Sequence, residues 1–177
     1  VKRILYAYLP KNTVENIISV SQVSNRIFSR FITGQFTEAI IIGVLCFIGM
    51  KILSMPHALV IASLVGFTAL IPVFGAFIGT AIGAFLIMME NPMQALWFIV
   101  FIIILQRIEG DFIYPKVVGS SVGLPSIWVL LAVLVGASTY GIIGMLISVP
   151  LFSIAYYLIR DGVTKRLKKK GIDEAEL

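Results

Sequence analysis

Between Phe31 and Ile159 the chain carries only three basic residues, Lys51, Arg107 and Lys116, and four acids, Glu38, Glu90, Glu109 and Asp111. Nothing else in the sequence limits its fold as strongly. Charged residues make up 13% of the chain and hydrophobic ones 59%, against about 25% charged in an ordinary soluble domain. A water-soluble fold of this size has too little interior to hide so much apolar surface. The solvent is therefore read as a bilayer, and the long apolar runs as helices. The expected fold class is an all-α integral membrane protein, a polytopic helix bundle with broken or re-entrant helices.

The remaining basic residues gather at the ends, five in the first thirty residues and six between Arg160 and Lys170. Basic ends favour the cytoplasmic side and anionic lipid, so the C-terminal tail is placed in the cytoplasm and the number of full crossings is expected to be even. KRLKKK is not read as a nucleic-acid site, because no folded basic face accompanies it. Cys46 and His57 are each alone of their type. That leaves no disulfide framework, no CxxC or zinc motif and no nucleophile–base set. The chain is not read as an enzyme, and neither a cofactor nor a metal is expected. It begins with Val and enters a polar segment, with no signal peptide read there.

Three regions follow. Residues 1–33 have apolar positions near helical spacing with Ser, Asn and Arg between them, the pattern of an amphipathic helix on a membrane surface or a partner helix. Asn12 with Glu15 reads as an N-terminal capping box. Residues 34–160 hold the apolar runs, and 161–177 form a basic then acidic tail. Within the middle region 37–54 is long enough for a span of about 27 Å, with Lys51 free to snorkel. Pro56 separates it from 57–71, which is short for a crossing. After Pro72 come 73–89, a turn at Asn91-Pro92, and 93–105. The run 127–159 would reach about 50 Å as one straight helix. Its Gly-rich middle, GASTYGIIG, points to a hairpin or a broken helix. LVIASLVGFTALIPVFGAFIG and VLLAVLVGASTYGIIGMLIS resemble each other weakly, either as an internal repeat or by shared composition.

Chemistry concentrates in QRIEGDFIYPKVVGSSVGLP, residues 106–125. Glu109 and Asp111 are two apart, so in extended or loop backbone they face one side. Gly110 between them permits unusual backbone angles. Gln106 is a polar partner, and Arg107 and Lys116 are countercharges. Pro115, Gly119 and Gly123 argue against one continuous helix. The stretch is read either as an ordinary charged loop or as an embedded loop whose carboxylates bind a cation or carry protons. Glu38 is read as an acid complementing a helix N-terminus, and Glu90 as an interfacial loop acid. Gly75, Gly79 and Gly83 recur every four residues on one helix face, for close helix packing or a smooth wall to a substrate path.

QRIEGDFIYPKVVGSSVGLP followed by GIIGMLISVPL, together with GQFTEAIIIGVL and IPVFGAFIGTAIGA, resembles the autoinducer-2 exporter (AI-2E) family of bacterial membrane permeases. The match covers most of 30–160 in order. By position it takes in Gly34, Gln35, Pro72, Gly75, Gln106, Glu109, Gly110, Pro115, Gly119, Gly141, Gly144 and Pro150. Asp111, Ser126 and Ala76 depart from the family pattern. The resemblance implies a multi-pass permease of the bacterial cell membrane, an N-terminal part with further spans, and a homo-oligomer. It also implies export of a small polar signal molecule or exchange of Na+ or Li+ for H+. On this reading Glu109 and Asp111 carry the ion or proton, Arg107 and Gln106 assist, and the partners are the lipid bilayer and a small polar solute or monovalent cation. A passive channel-like exporter and a scaffold without transport are the rivals.

Overall fold

The computed structural model describes residues 2–114, 116–117 and 123–170. In chain order these form α1 (Lys2–Tyr8), α2 (Lys11–Ile52), α3 (Ala58–Ala69), α4 (Phe74–Met88), α5 (Pro92–Ile108), a π-helical turn (Glu109–Ile113) and α6 (Ser126–Lys169), with no strand among the described residues. The protein is all-α. Its apolar helices turn large side chains outward, including Phe67, Phe77, Trp97, Ile40 and Ile103, as a lipid-facing surface requires.

The 42-residue helix α2 is the spine, about 60 Å long at ~1.5 Å per residue. It runs unbroken across residues 33 and 34, where a boundary is expected from the sequence, and one burial stripe runs through that point. Phe31, Gln35, Glu38, Ala39, Ile42, Cys46 and Met50 are all buried, recurring every three or four residues along one helix face. The capping box at Asn12 does not form the helix start either: Pro10 is the N-cap, with no side-chain cap bond. A proline suits this place because the first helical amides have no partner inside the helix.

Helices α3 and α4 form a short antiparallel hairpin against α2, about 18 and 22 Å long. Small residues set its closeness. A Cβ on Gly75 would lie 1.9 Å from the Thr68 carbonyl oxygen, one on Gly79 2.6 Å from Thr68 Oγ1, and one on Gly83 2.9 Å from Ile61 Cγ2. The glycine stripe thus faces α3. Across the hairpin's other side, a Cβ on Gly66 would meet Ala39 O at 3.0 Å and Gly43 Cα at 3.1 Å. Ile61, Val65, Ile87, Phe98 and Ile102 join α2 residues Ile42, Cys46 and Met50 in the main core. Asn91 starts α5 by accepting from Met93 N at 3.0 Å and Gln94 N at 3.3 Å, with Pro92 at the first helical position.

The open end of the hairpin is held by His57 Nε2 and Glu90 Oε1, 2.8 Å apart, each about half exposed. Exposed pairs of this kind contribute at most about 1 kcal/mol. Glu90→Gln is accordingly expected to shift thermal unfolding in detergent by no more than a few degrees. A larger loss would mean that this pair, rather than the glycine stripe, holds α3 to α4.

Helix α6 reverses on itself. Tyr140 and Gly141 have non-helical angles, and Gly141 adopts φ 60°, ψ −136°, a conformation open essentially to glycine alone. Gly136 and Gly144 then face each other across the two arms: a Cβ on Gly144 would sit 2.1 Å from Gly136 O. In one straight helix, residues eight apart would be about 12 Å apart. The hairpin alternative for 127–159 is therefore the observed one. Pro150 is buried within the second arm. Ala132, Val133 and Val149 pack with Phe31 of α2 in a second core. By length and apolar character Thr13–Ile52 and Ile127–Thr164 each suffice to cross a membrane, but the second is folded back and does not make one straight crossing. Helix continues through Lys169, so the region read as a tail from 161 begins as helix.

Candidate functional site

The tip of the α3–α4 hairpin lies against the middle of α2 and the end of α5. These elements enclose a cavity of about 190 Å³ lined by Gln35, Glu38, Pro72, Val73, Gln106, Glu109, Gly110 and Tyr114 among apolar neighbours. Gln35, Glu38, Gln106, Glu109 and Tyr114 bring polar side chains to its lining.

Gln35 and Glu38 come from the buried stripe of α2, 4% and 7% exposed. Spaced three apart, they share a helix face. Gln35 Nε2 donates to Ala69 O at 3.0 Å and to Glu38 Oε2 at 3.2 Å. Ala69 ends α3, where carbonyls lack helical partners, so Gln35 ties that helix end to the spine. Its own Oε1 is buried without a hydrogen-bond partner. The Glu38 and Glu109 carboxyls line the same cavity. Two carboxyls sharing so small a space repel unless a proton or a cation lies between them.

Glu109 reaches this position through the π turn that extends α5. Such turns add a residue to the helical repeat and re-aim side chains. The extended loop expected here is replaced by helical backbone through Ile113. That places Glu109 and Asp111 on different sides: Glu109 is half-buried and lines the cavity, whereas Asp111 is exposed and outside it. Gln106, one turn earlier, lines the cavity as well. Arg107 is exposed and lines an adjoining groove between α4 and α5. Among the described residues Arg107 makes no ion pair with Glu109 or Asp111. Lys116 is exposed. Pro115 and Gly119 lie outside the described residues.

The remaining wall is the turn Pro72-Val73-Phe74. Phe74 N donates to Pro72 O at 2.8 Å, closing a three-residue γ-turn around Val73 at φ 67°, ψ −50°. That region is strained for a β-branched residue. Gly75 and Gly79 support the turn from behind by their contact with α3. Gly34 is buried beside Gln35. Gly141, Gly144 and Pro150 belong to the α6 hairpin and do not line the cavity.

Sequence reasoning placed Glu38 at a helix N-terminus. It lies instead deep inside α2, bonded by Gln35 and lining one cavity with Glu109 of the π turn. Tyr114 was not singled out at all. The available signal was Gln35 and Glu38 at helical spacing on an apolar span, since an ionisable group there is a functional candidate by default.

Residues 1–164 match the family profile described as AI-2E family transporter. The chain belongs to this family. Among AI-2E relatives, YueF of Bacillus subtilis (strain 168) is 31% identical over 81% of this chain and 40% of its own length. YrrI of the same organism is 36% identical over 68% of this chain and 34% of its own. The protein sll0063 of Synechocystis sp. is 32% identical over 73% and 33% respectively. All three bear the name "Putative transport protein". The chain thus spans less than half the length of these relatives. No solved structure matches it. Family membership and the apolar helices together assign the chain to the membrane and to a transport family.

Proposed function

We propose that this chain forms the translocation core of a multi-pass secondary transporter of the bacterial cell membrane, with a cytoplasmic C-terminus and a homo-oligomeric assembly. The transported species is a small polar solute that is exported, or a monovalent cation such as Na+ or Li+ exchanged for H+. The observation that carries this reading is the carboxyl-lined cavity at the tip of a hairpin too short to cross a bilayer. From Ile52 to Glu38 the spine climbs about 21 Å at ~1.5 Å per residue. With the His57–Glu90 end at one interface, the cavity falls well inside a hydrocarbon core of about 30 Å. Non-helical backbone at such depth is tolerated where it lines a wet cavity, which is where the Pro72–Phe74 turn lies.

In this reading Glu109 is the coupling group, Glu38 its partner across the cavity, and Gln106 a polar neighbour. Gly110 and the π turn orient Glu109. Arg107 stands at the adjoining groove, and Asp111 has no place in the cavity.

The test is made in everted membrane vesicles with a pH-sensitive dye and a panel of small polar solutes. Adding Na+ or Li+ is expected to release lumenal protons, or a solute to accumulate against its gradient, and Glu109→Gln is expected to reduce the signal to background. Downhill flux that persists in the variant would indicate a passive exporter. Absence of any flux, with protein confirmed in the membrane, would favour a scaffold.

A further inference from the structure

We infer that the groove between α4 and α5 holds one anionic phospholipid, its phosphate on Arg107 and an acyl chain along the apolar walls. The inference goes beyond the transport reading and shares with it only the placement of the His57–Glu90 end at one membrane interface. The groove is about 700 Å³ in volume. Among the described residues that line it, Arg107 is the one charged group, and no acid accompanies it. Arg107 is exposed and makes no ion pair with any described residue. The Thr80 hydroxyl, also in the lining, already donates to Ala76 O at 2.6 Å. Depth makes the unpaired charge informative. Helix α5 starts at Pro92, beside Glu90, and Arg107 stands in its last turn. From Pro92 to Arg107 the helix climbs about 22 Å at ~1.5 Å per residue, short of the far side of a hydrocarbon core of about 30 Å. A guanidinium at such depth is costly without a counter-ion, and its stem is long enough to reach toward the headgroups. A lipid phosphate there offers it a bidentate, charge-assisted partner.

The rest of the groove fits a hydrocarbon tail. Phe77, Ala81 and Ala84 of α4 line one side, and Ile99 and Ile103 of α5 line the other. Phe77, Ala81 and Ile103 are exposed, so the groove opens toward lipid rather than into the core. From Arg107 back to Ile99 the α5 lining extends about 12 Å at ~1.5 Å per residue. It runs away from the far interface, the direction an acyl chain takes below its headgroup. A soluble anion would meet the charge of Arg107 and leave these walls empty. A zwitterionic lipid would fill the walls but bring its own cation to the phosphate. An anionic phospholipid answers both features.

The experiment is native mass spectrometry of the purified protein in detergent, with dioleoyl phosphatidylglycerol or dioleoyl phosphatidylcholine added at limiting concentration. Phosphatidylglycerol is expected to be retained at least about fivefold over phosphatidylcholine, the scale of one basic residue against an anionic headgroup. Arg107→Gln is expected to remove that preference. Arg107→Lys is expected to restore part of it, since lysine keeps the charge but not the planar fork. Ala81→Phe, which adds a ring to the groove lining, is expected to lower retention of both lipids. Both positions are exposed, so these changes leave the packing of the bundle intact. Equal retention of the two lipids would overturn the inference. So would a preference unchanged in Arg107→Gln, as the basic chain ends would give, or retention unchanged in Ala81→Phe. Displacement of the lipid by equimolar glycerol phosphate would make the ligand a soluble anion and overturn it too. A change in oligomer mass without a change in bound lipid would do the same by seating a second copy in the groove. Lipid retention is read without flux, so its failure leaves the transport reading standing, and failed transport leaves the lipid site standing.

Discussion

Glu38→Gln is expected to stop transport as completely as Glu109→Gln, while Asp111→Asn leaves it within about twofold. This outcome would assign the function to the two acids that share the cavity rather than to the two nearest in sequence. Glu38 is 7% exposed and lines one cavity with Glu109, whereas Asp111 is exposed and outside it. Exchanging a carboxylate for an amide removes a charge-assisted hydrogen bond worth about 1.5–3 kcal/mol, or roughly ten- to a hundredfold in ligand occupancy. The fold should tolerate the change. Glutamine keeps the size of the side chain, and its carbonyl can still accept from Gln35. Removing the buried one of two carboxyls that share a cavity also relieves repulsion and desolvation, so stability should hold or rise by about 1 kcal/mol. The checks are the vesicle assay and thermal unfolding in detergent, made on the same preparations. Lost transport with preserved or raised stability marks a working acid pair. Lost stability in Glu38→Gln would make the pair structural, and lost transport in Asp111→Asn would return the function to the exposed side of the π turn.

The largest loss of stability is expected from Gly75→Ala. The added Cβ would lie 1.9 Å from Thr68 O, 2.6 Å from Thr68 C and 2.8 Å from Ala69 Cα. All three are backbone atoms, so no rotamer change relieves the clash and the hairpin must open. Opening it disturbs the bond from Gly75 N to Ile71 O at 2.8 Å and draws Ala69 O away from Gln35. Overpacking ordinarily costs about 1–3 kcal/mol, and a backbone collision places this variant at or above the upper end. Gly110→Ala is the control, since a Cβ there has nothing within 4 Å. In helical backbone alanine is favoured over glycine by about 1 kcal/mol. Unfolding in detergent should separate the two variants clearly. Equal behaviour would show that α3 and α4 do not pack as closely as described.

The elements themselves were legible because helices report their own residues. Asn91-Pro92 reads as a turn, and the structure turns there, with Asn91 also capping the start of α5. The Gly-rich middle of 127–159 announced a reversal, and Gly141 supplies it with a backbone conformation that side chains resist. At residues 33–34 polar content changes while helical propensity and the buried stripe continue, so α2 runs through the expected joint without a break. The geometry at 106–114 was misjudged for a related reason. Gly110 and two nearby acids suggest a loop, yet the backbone keeps its helical hydrogen bonding and widens by one residue. That shift decides which acid points inward.

The sequence by itself determined the solvent and the fold class. Both are sums over local properties, the scarcity of charge across Phe31–Ile159 and the length of the apolar runs. It also marked Glu109 as a charged group set among those runs. Only the tertiary structure decided the company Glu109 keeps. Its partners, Glu38 and Gln35, lie about seventy residues earlier on another helix, and Gln35 is held in turn by the end of α3. Contacts at that range depend on how closely three helices approach, which the backbone contacts at Gly43, Gly66 and Gly75 set, and no local pattern records that distance.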